Sequence, residues 1–148
     1  MFKGSGLAGG GGKEKGLIMT SKTQNKITGQ KAESLAWEYL KNKKYKILAC
    51  NYETNLGELD LIVKDGQEIV FVEVKARRSE SWGDPYEAVN VHKQKKVIQV
   101  ALQFIQSQNY EDRDFRFDVV SIVFGLEDQY SIEHYKDAFD ASVASYML

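Results

Sequence analysis

The sequence predicts a single α/β domain with a central mixed β-sheet and helices packed on its faces. Three observations carry this expectation. Apolar residues recur at helical spacing in two separate segments. Apolar runs rich in β-branched residues lie between and after them. The order helix, strands, helix, strands then favours one mixed sheet covered by helices. A chain of 148 residues suits one hydrophobic core.

The elements follow in order. Gly4 to Gly16 is mostly glycine with Lys and Ser, a composition that cannot bury a core. Residues 1–26 are therefore expected to be an extension outside the fold, with Met19 as an alternative start, and residues 27–148 the domain. Thr28 is a candidate N-cap for a first helix. Ala32, Leu35, Ala36, Tyr39 and Leu40 form its apolar stripe, and Lys41, Lys43 and Lys44 suit its C-terminal end. Tyr45 to Tyr52 reads as a short strand. Leu59–Val63 and Ile69–Val74 read as a hairpin around Asp65-Gly66, a strong turn signal. Ser79 to Tyr86, with Gly83 and the only proline, Pro85, is a loop. A second helix is expected from Asn90 to Gln108, with Val97, Ile98, Ala101, Phe104 and Ile105 facing the core. Phe115–Phe124 and Tyr130–Tyr135 are further strands, and Ala138 to Ala144 a closing helix.

Composition excludes several classes. Apolar content of 43% and charged content of 28% are those of an ordinary globular protein. No apolar run is long enough to span a bilayer, and no signal-peptide pattern opens the chain, so the cytoplasm is the expected compartment. A single cysteine, Cys50, rules out an internal disulfide framework and reads as a small core residue. The net charge of −1 hides an asymmetry: nine Lys against three Glu from Lys13 to Lys46, and nine acids against three bases from Asn109 onward. One face can therefore be basic enough to meet a polyanion, or can simply be a solvated Lys-rich helix.

The chemistry is concentrated in the hairpin. A turn at Asp65-Gly66 pairs Lys64 with Gln67, Ile62 with Ile69, Asp60 with Phe71 and Glu58 with Glu73. Paired residues, and residues two apart on a strand, share a side. Glu58, Asp60, Glu73 and Lys75 are thus expected on one face, with Asp60 and Glu73 diagonal neighbours. Carboxylates gathered in apolar strands are costly, and like charges repel. A hard divalent cation, Mg²⁺ or Mn²⁺, would relieve that cost, activate water and stabilise charge on a phosphate. An amine at Lys75 would orient the attacking water and neutralise the phosphate. Asp…Glu-x-Lys therefore reads as phosphodiester hydrolysis. A structural salt bridge between Lys75 and the acids is the competing reading of the same spacing.

Gly57-Glu58-Leu59-Asp60-Leu61-Ile62 followed by Phe71-Val72-Glu73-Val74-Lys75-Ala76-Arg77 resembles the YraN-like family of uncharacterised bacterial proteins. That family is related to restriction-endonuclease-like folds and archaeal Holliday-junction resolvases. The resemblance extends through Gly29-Gln30-Lys31-Ala32-Glu33, Asn51, Gly83-Asp84-Pro85, Lys93 and Arg116-Phe117-Asp118-Val119-Val120. It implies a restriction-endonuclease-like fold with Asp60, Glu73 and Lys75 as the catalytic core. Glu33, at the edge of the first helix's apolar stripe, would join them as a catalytic and metal-binding acid, so that Asp60, Glu73 and Glu33 hold Mg²⁺ or Mn²⁺. Lys93 matches a basic position opening the second helix.

Arg77, Arg78, Lys93, Lys95 and Lys96 flank the site and are candidates for nucleic-acid contact. Glu58 and Asp118 are supporting residues, Asp118 as a structural partner of Arg116. Trp82 and Tyr86 could stack on unpaired bases, or simply pack the loop. The function expected is a metal-dependent endonuclease acting on DNA, with branched or structured DNA among its substrates. A homodimer is implied by analogy with resolvases. The alternatives are a non-catalytic nucleic-acid-binding module on the same fold and a purely structural domain.

Overall fold

The computed structural model of the protein describes residues 21–79 and 90–141, with side-chain surroundings from residue 28 onward. Its elements are α1 (Ser21–Asn42), β1 (Lys46–Thr54), β2 (Gly57–Asp65), β3 (Glu68–Arg78), α2 (Val91–Ser107), β4 (Phe115–Phe124) and β5 (Tyr130–Phe139). The strands form one five-stranded sheet in the order β1-β2-β3-β4-β5. All pairs are antiparallel except β3 with β4, which α2 connects as a parallel crossover. The domain is α/β with a mixed sheet and a helix on each face, an arrangement compatible with a nuclease-like fold. Among the described residues no helix is long and apolar enough to cross a membrane.

The alternation of side chains along β2 and β3 feeds two cores. Leu61, Val63, Val70 and Val72 pack with Ala32, Ala36 and Leu40 of α1. Ile62, Ile69 and Phe71 pack with Val97, Ile98, Ala101 and Phe104 of α2. Both strands are buried on both sides, hence their near-continuous apolar runs. Arg116 fastens the hairpin tip to β4. Asp65 and Glu68 stand opposite each other, and Arg116 Nη1 pairs with both, at 3.2 and 2.7 Å. Its Nε donates to the fully buried Asp118 at 2.9 Å. Asp118 also lies 2.7 Å from His134 Nε2 and accepts the Asp137 N–H at 2.9 Å. Burial alone would raise the Asp118 pKa, but His134, Arg116 and the Asp137 N–H outweigh it and hold the carboxyl below its ordinary value.

Several expectations are corrected. α1 begins at Ser21, so Thr28 lies inside the helix rather than capping it, and the helix runs past the boundary expected at Lys26. The polar residues before Thr28 carry no apolar stripe and so gave no periodic signal. The hairpin turn is Gly66-Gln67, because Asp65 pairs with Glu68. Gly66 takes the left-handed conformation (φ 65°) at the first central position, while Gln67 is not among the positive-φ residues. That pattern requires glycine only at the first position, whereas Asp-Gly signals a turn with both central residues left-handed. β5 continues to Phe139, so a helix does not start at Ala138. A register shift between Phe117 and Val119, with Asp137 at φ 53°, carries the strand onward. Cys50 is exposed, because β1 is an edge strand and α1 leaves an open groove beside it. The loop expected from Ser79 to Tyr86, with Trp82 and Tyr86, lies beyond Ser79 outside the described residues, as does the end of the closing helix.

Candidate functional site

β2 departs from regular alternation at Asp60. Leu61 packs toward α1, two residues away Leu59 packs toward α2, and the break falls between them. The β2–β3 ladder ends at Leu61↔Val72. Beyond it the backbone N–H of Val74 donates to Asp60 Oδ2 at 2.8 Å, a side chain taking the place of a strand carbonyl. On the other side, Asn51 falls between the pairs Cys50↔Leu61 and Tyr52↔Leu59, opposite Asp60, and is left-handed (φ 49°). Asn tolerates that conformation better than most residues. Its side chain hydrogen-bonds Glu33 on α1.

The true register is offset by two residues from the expected one. An even offset preserves the faces, so Asp60 and Glu73 still converge, now as neighbours across the strand end rather than on a diagonal. They line a cleft of about 540 Å³ with Glu33, Lys75, Lys93 and Arg77. Glu73 is 4% exposed. Its Oε2 lies 2.7 Å from Lys93 Nζ, and its Oε1 is buried with no hydrogen-bond partner. Burial first, and then the Glu73 charge, push Asp60 up to about 7, against the lowering effect of the Val74 N–H and Lys93. Glu33 is raised too, by burial and then by Asp60 and Glu58, with the Asn51 hydrogen bond opposing. Among the described residues Lys75 forms no ion pair.

These features fit a hard cation. An unpartnered buried carboxylate oxygen and a second carboxyl pushed toward its neutral form are what a dicationic ligand would relieve. The described residues hold no group of three His, Cys, Asp or Glu side chains converging on one ion position. Mg²⁺ is commonly bound through one or two carboxylates, with waters and substrate phosphates completing the shell. Asp60 and Glu73 would supply that pair. Glu33 stands at the rim, near enough for its carboxyl to respond to the Asp60 charge.

The other predicted residues divide. Arg77 and Arg78 line the cleft with Lys93. Lys95 and Lys96 do not line it and lie further along α2. Glu58 is exposed and pairs with Glu53 of β1, not with Glu73. The ladder has already ended there, so the expected Glu58–Glu73 pair is corrected, while the Glu58 charge still acts on Asp60, Glu33 and Lys93. Lys93, expected to face an anion, does so, but the anion is Glu73. Asn90 caps α2 by accepting the Lys93 N–H at 2.9 Å, which fixes Lys93 in the first turn. Thr28 and Gly29 also line the cleft; the sequence offered Thr28 only as a helix cap and Gly29 only as part of the resemblance. Asn51, part of the resemblance but given no role there, could have been placed at the site by asking why an Asn interrupts an apolar strand.

The sequence profile described as "Uncharacterised protein family UPF0102" matches residues 32–122. That span contains Glu33, Asn51, Asp60, Glu73, Lys75 and Lys93. A UPF0102 protein of Alkaliphilus oremlandii is 46% identical over 117 residues, covering 78% of this chain and 99% of the relative. One from Geotalea uraniireducens is 41% identical over 119 residues, covering 80% and 94%. One from Geobacter metallireducens is 44% identical over 116 residues, covering 78% and 94%.

Proposed function

This chain belongs to the uncharacterised protein family UPF0102, and for this member we propose a divalent-metal-dependent endonuclease-type site that hydrolyses DNA phosphodiesters, branched or structured DNA among them. The observation that carries the reading is Glu73, a buried carboxylate with one unpartnered oxygen, beside Asp60 in a cleft that Lys75 also lines. Asp60 and Glu73 would hold Mg²⁺ or Mn²⁺, with Glu33 at the rim. Such an ion, when bound, supplies Lewis acidity and lowers the pKa of water. The chain's own residues do the remainder. The Val74 N–H holds Asp60 in place. Lys75, two residues from Glu73 on the same side of β3, orients the nucleophile and offsets charge developing on the phosphate. Arg77 and Arg78 contact flanking phosphates without reading sequence. A DNA-directed role is a cytoplasmic one, and a homodimer would set two clefts against two strands.

The test is an assay of purified protein on linear, flapped and four-way DNA with Mn²⁺. Cutting that requires Mn²⁺ and disappears in Asp60→Ala supports the reading. No cutting of any substrate, or equal cutting by Asp60→Ala, refutes it. The Lys93–Glu73 ion pair favours a second reading, since it neutralises Glu73 without a metal: a binding module with no catalysis. Salt-sensitive, metal-independent DNA binding that survives Glu73→Ala would select that alternative.

A further inference from the structure

Lys93 is the counter-charge of Glu73. Its ammonium lies 2.7 Å from Oε2 of a side chain that is 5% exposed, while Lys93 itself is 43% exposed. One partner is therefore fixed and the other can swing toward solvent. A divalent ion shared by Asp60 and Glu73 would sit close to that ammonium and repel it. The cleft thus cannot take a cation at full affinity while Lys93 stays in place. Lys93 belongs to the first turn of α2, where Asn90 caps the helix and the dipole favours an anion. A phosphate entering the cleft between α2 and Arg77 would therefore offer Lys93 an alternative partner. Lys75 does not provide this service, since it pairs with no carboxylate among the described residues.

We propose that Lys93 is a plug that a phosphodiester withdraws: it leaves Glu73 for the incoming phosphate, so the cleft takes cation and phosphodiester together rather than cation first. Lys93 is on this account a positioning residue, acting on the metal site through Glu73. The proposal rests on the metal-dependent reading above. It explains why one residue can be both an acid's partner and a phosphate ligand, roles that a static picture sets in conflict.

The experiment measures Mn²⁺ affinity by electron paramagnetic resonance. The proteins are wild type, Lys93→Met, Lys93→Gln and Lys96→Met, the last removing the same charge one turn along α2. The expected result is weak Mn²⁺ binding by wild type and Lys96→Met, and binding tighter by about five- to hundredfold in both Lys93 variants. Fluorescence anisotropy with a short DNA duplex gives the reciprocal arm. Mn²⁺ should tighten wild-type DNA binding by a similar factor, and tighten it less in Lys93→Met. Lys93 variants that bind Mn²⁺ no better than wild type overturn the plug and leave the metal site standing. An equal gain in Lys96→Met overturns it in favour of a diffuse charge effect. Absence of Mn²⁺ binding in every variant overturns the metal site itself, and the plug with it. Lys93→Gln, with its smaller neutral side chain, provides the comparison if Lys93→Met does not fold.

Discussion

The Val74 N–H donates to Asp60 Oδ2 at 2.8 Å, which ties the carboxylate of β2 to the strand that carries Glu73 and Lys75. Two acids are thereby held together where the ladder between their strands has ended. Burial and the nearby Glu73 charge oppose ionisation of Asp60 there, against the Val74 N–H, which makes the site's charge state measurable.

Asp60→Asn keeps an oxygen for the Val74 N–H and removes the charge. The Asp60 carboxyl is raised from 3.8 to about 7 in the folded protein, so its contribution to stability is fully present below the ordinary value and lost as pH rises through about 7. The variant is expected to be more stable than wild type at pH 8 in a chelator, by at most about 4 kcal/mol. The advantage should shrink toward pH 4. Urea unfolding across that range measures it. A destabilised variant at pH 8 would contradict the repulsion.

Mn²⁺ should reverse the comparison. At saturating Mn²⁺ the wild-type melting temperature rises and that of Asp60→Asn moves little, since ligand that binds only the folded state stabilises it. Equal rises in both proteins would place the ion elsewhere.

Lys75→Met is expected to fold, to bind Mn²⁺ as wild type does, and to lose about 10²–10³ in cleavage rate, the usual cost of one group that stabilises developing charge. Single-turnover kinetics with a melting control separates this from a structural role. Loss of folding with no change in residual rate per folded molecule would return Lys75 to the salt-bridge reading.

The Arg116 network makes a different kind of prediction. Asp118→Ala leaves the Arg116 guanidinium, whose side chain is 11% exposed, without its Nε partner. Asp65 and Glu68 still pair with Arg116 Nη1, so the expected loss is about 1–3 kcal/mol, the cost of leaving a buried donor unpaired. Because the Asp118 pKa is lowered on folding, its contribution is present above the ordinary 3.8 and is lost as pH falls through the folded value. The gap between wild type and Asp118→Ala in urea unfolding should therefore narrow in acid. A gap that widens in acid would be the wrong sign.

Much of this site was legible because β-strands have a period of two. The expected hairpin register was off by two residues, yet Asp60, Glu73 and Lys75 still reached one cleft. An odd error would have scattered them. The expected Glu58–Glu73 pair fails because the ladder stops at Leu61, and a pairing rule cannot see where pairing ends. Cys50 was misread because an apolar neighbourhood in sequence does not reveal an edge strand. The Lys93–Glu73 contact joins residues of β3 and α2 far apart in sequence, so no local pattern encodes it. Asp137, left-handed in a strand, is set by the Asp118 carboxylate from β4, again a partner distant in sequence.

On the proposed reading Asp60 and Glu73 hold one divalent cation. Anomalous diffraction from a crystal soaked in Mn²⁺, together with a short DNA duplex, tests it most directly. The account predicts a single strong peak within coordination distance of an Asp60 oxygen and of Glu73, with the Lys93 ammonium withdrawn from Oε2. A well-ordered cleft with no peak there, and Lys93 still seated on Glu73, would contradict it.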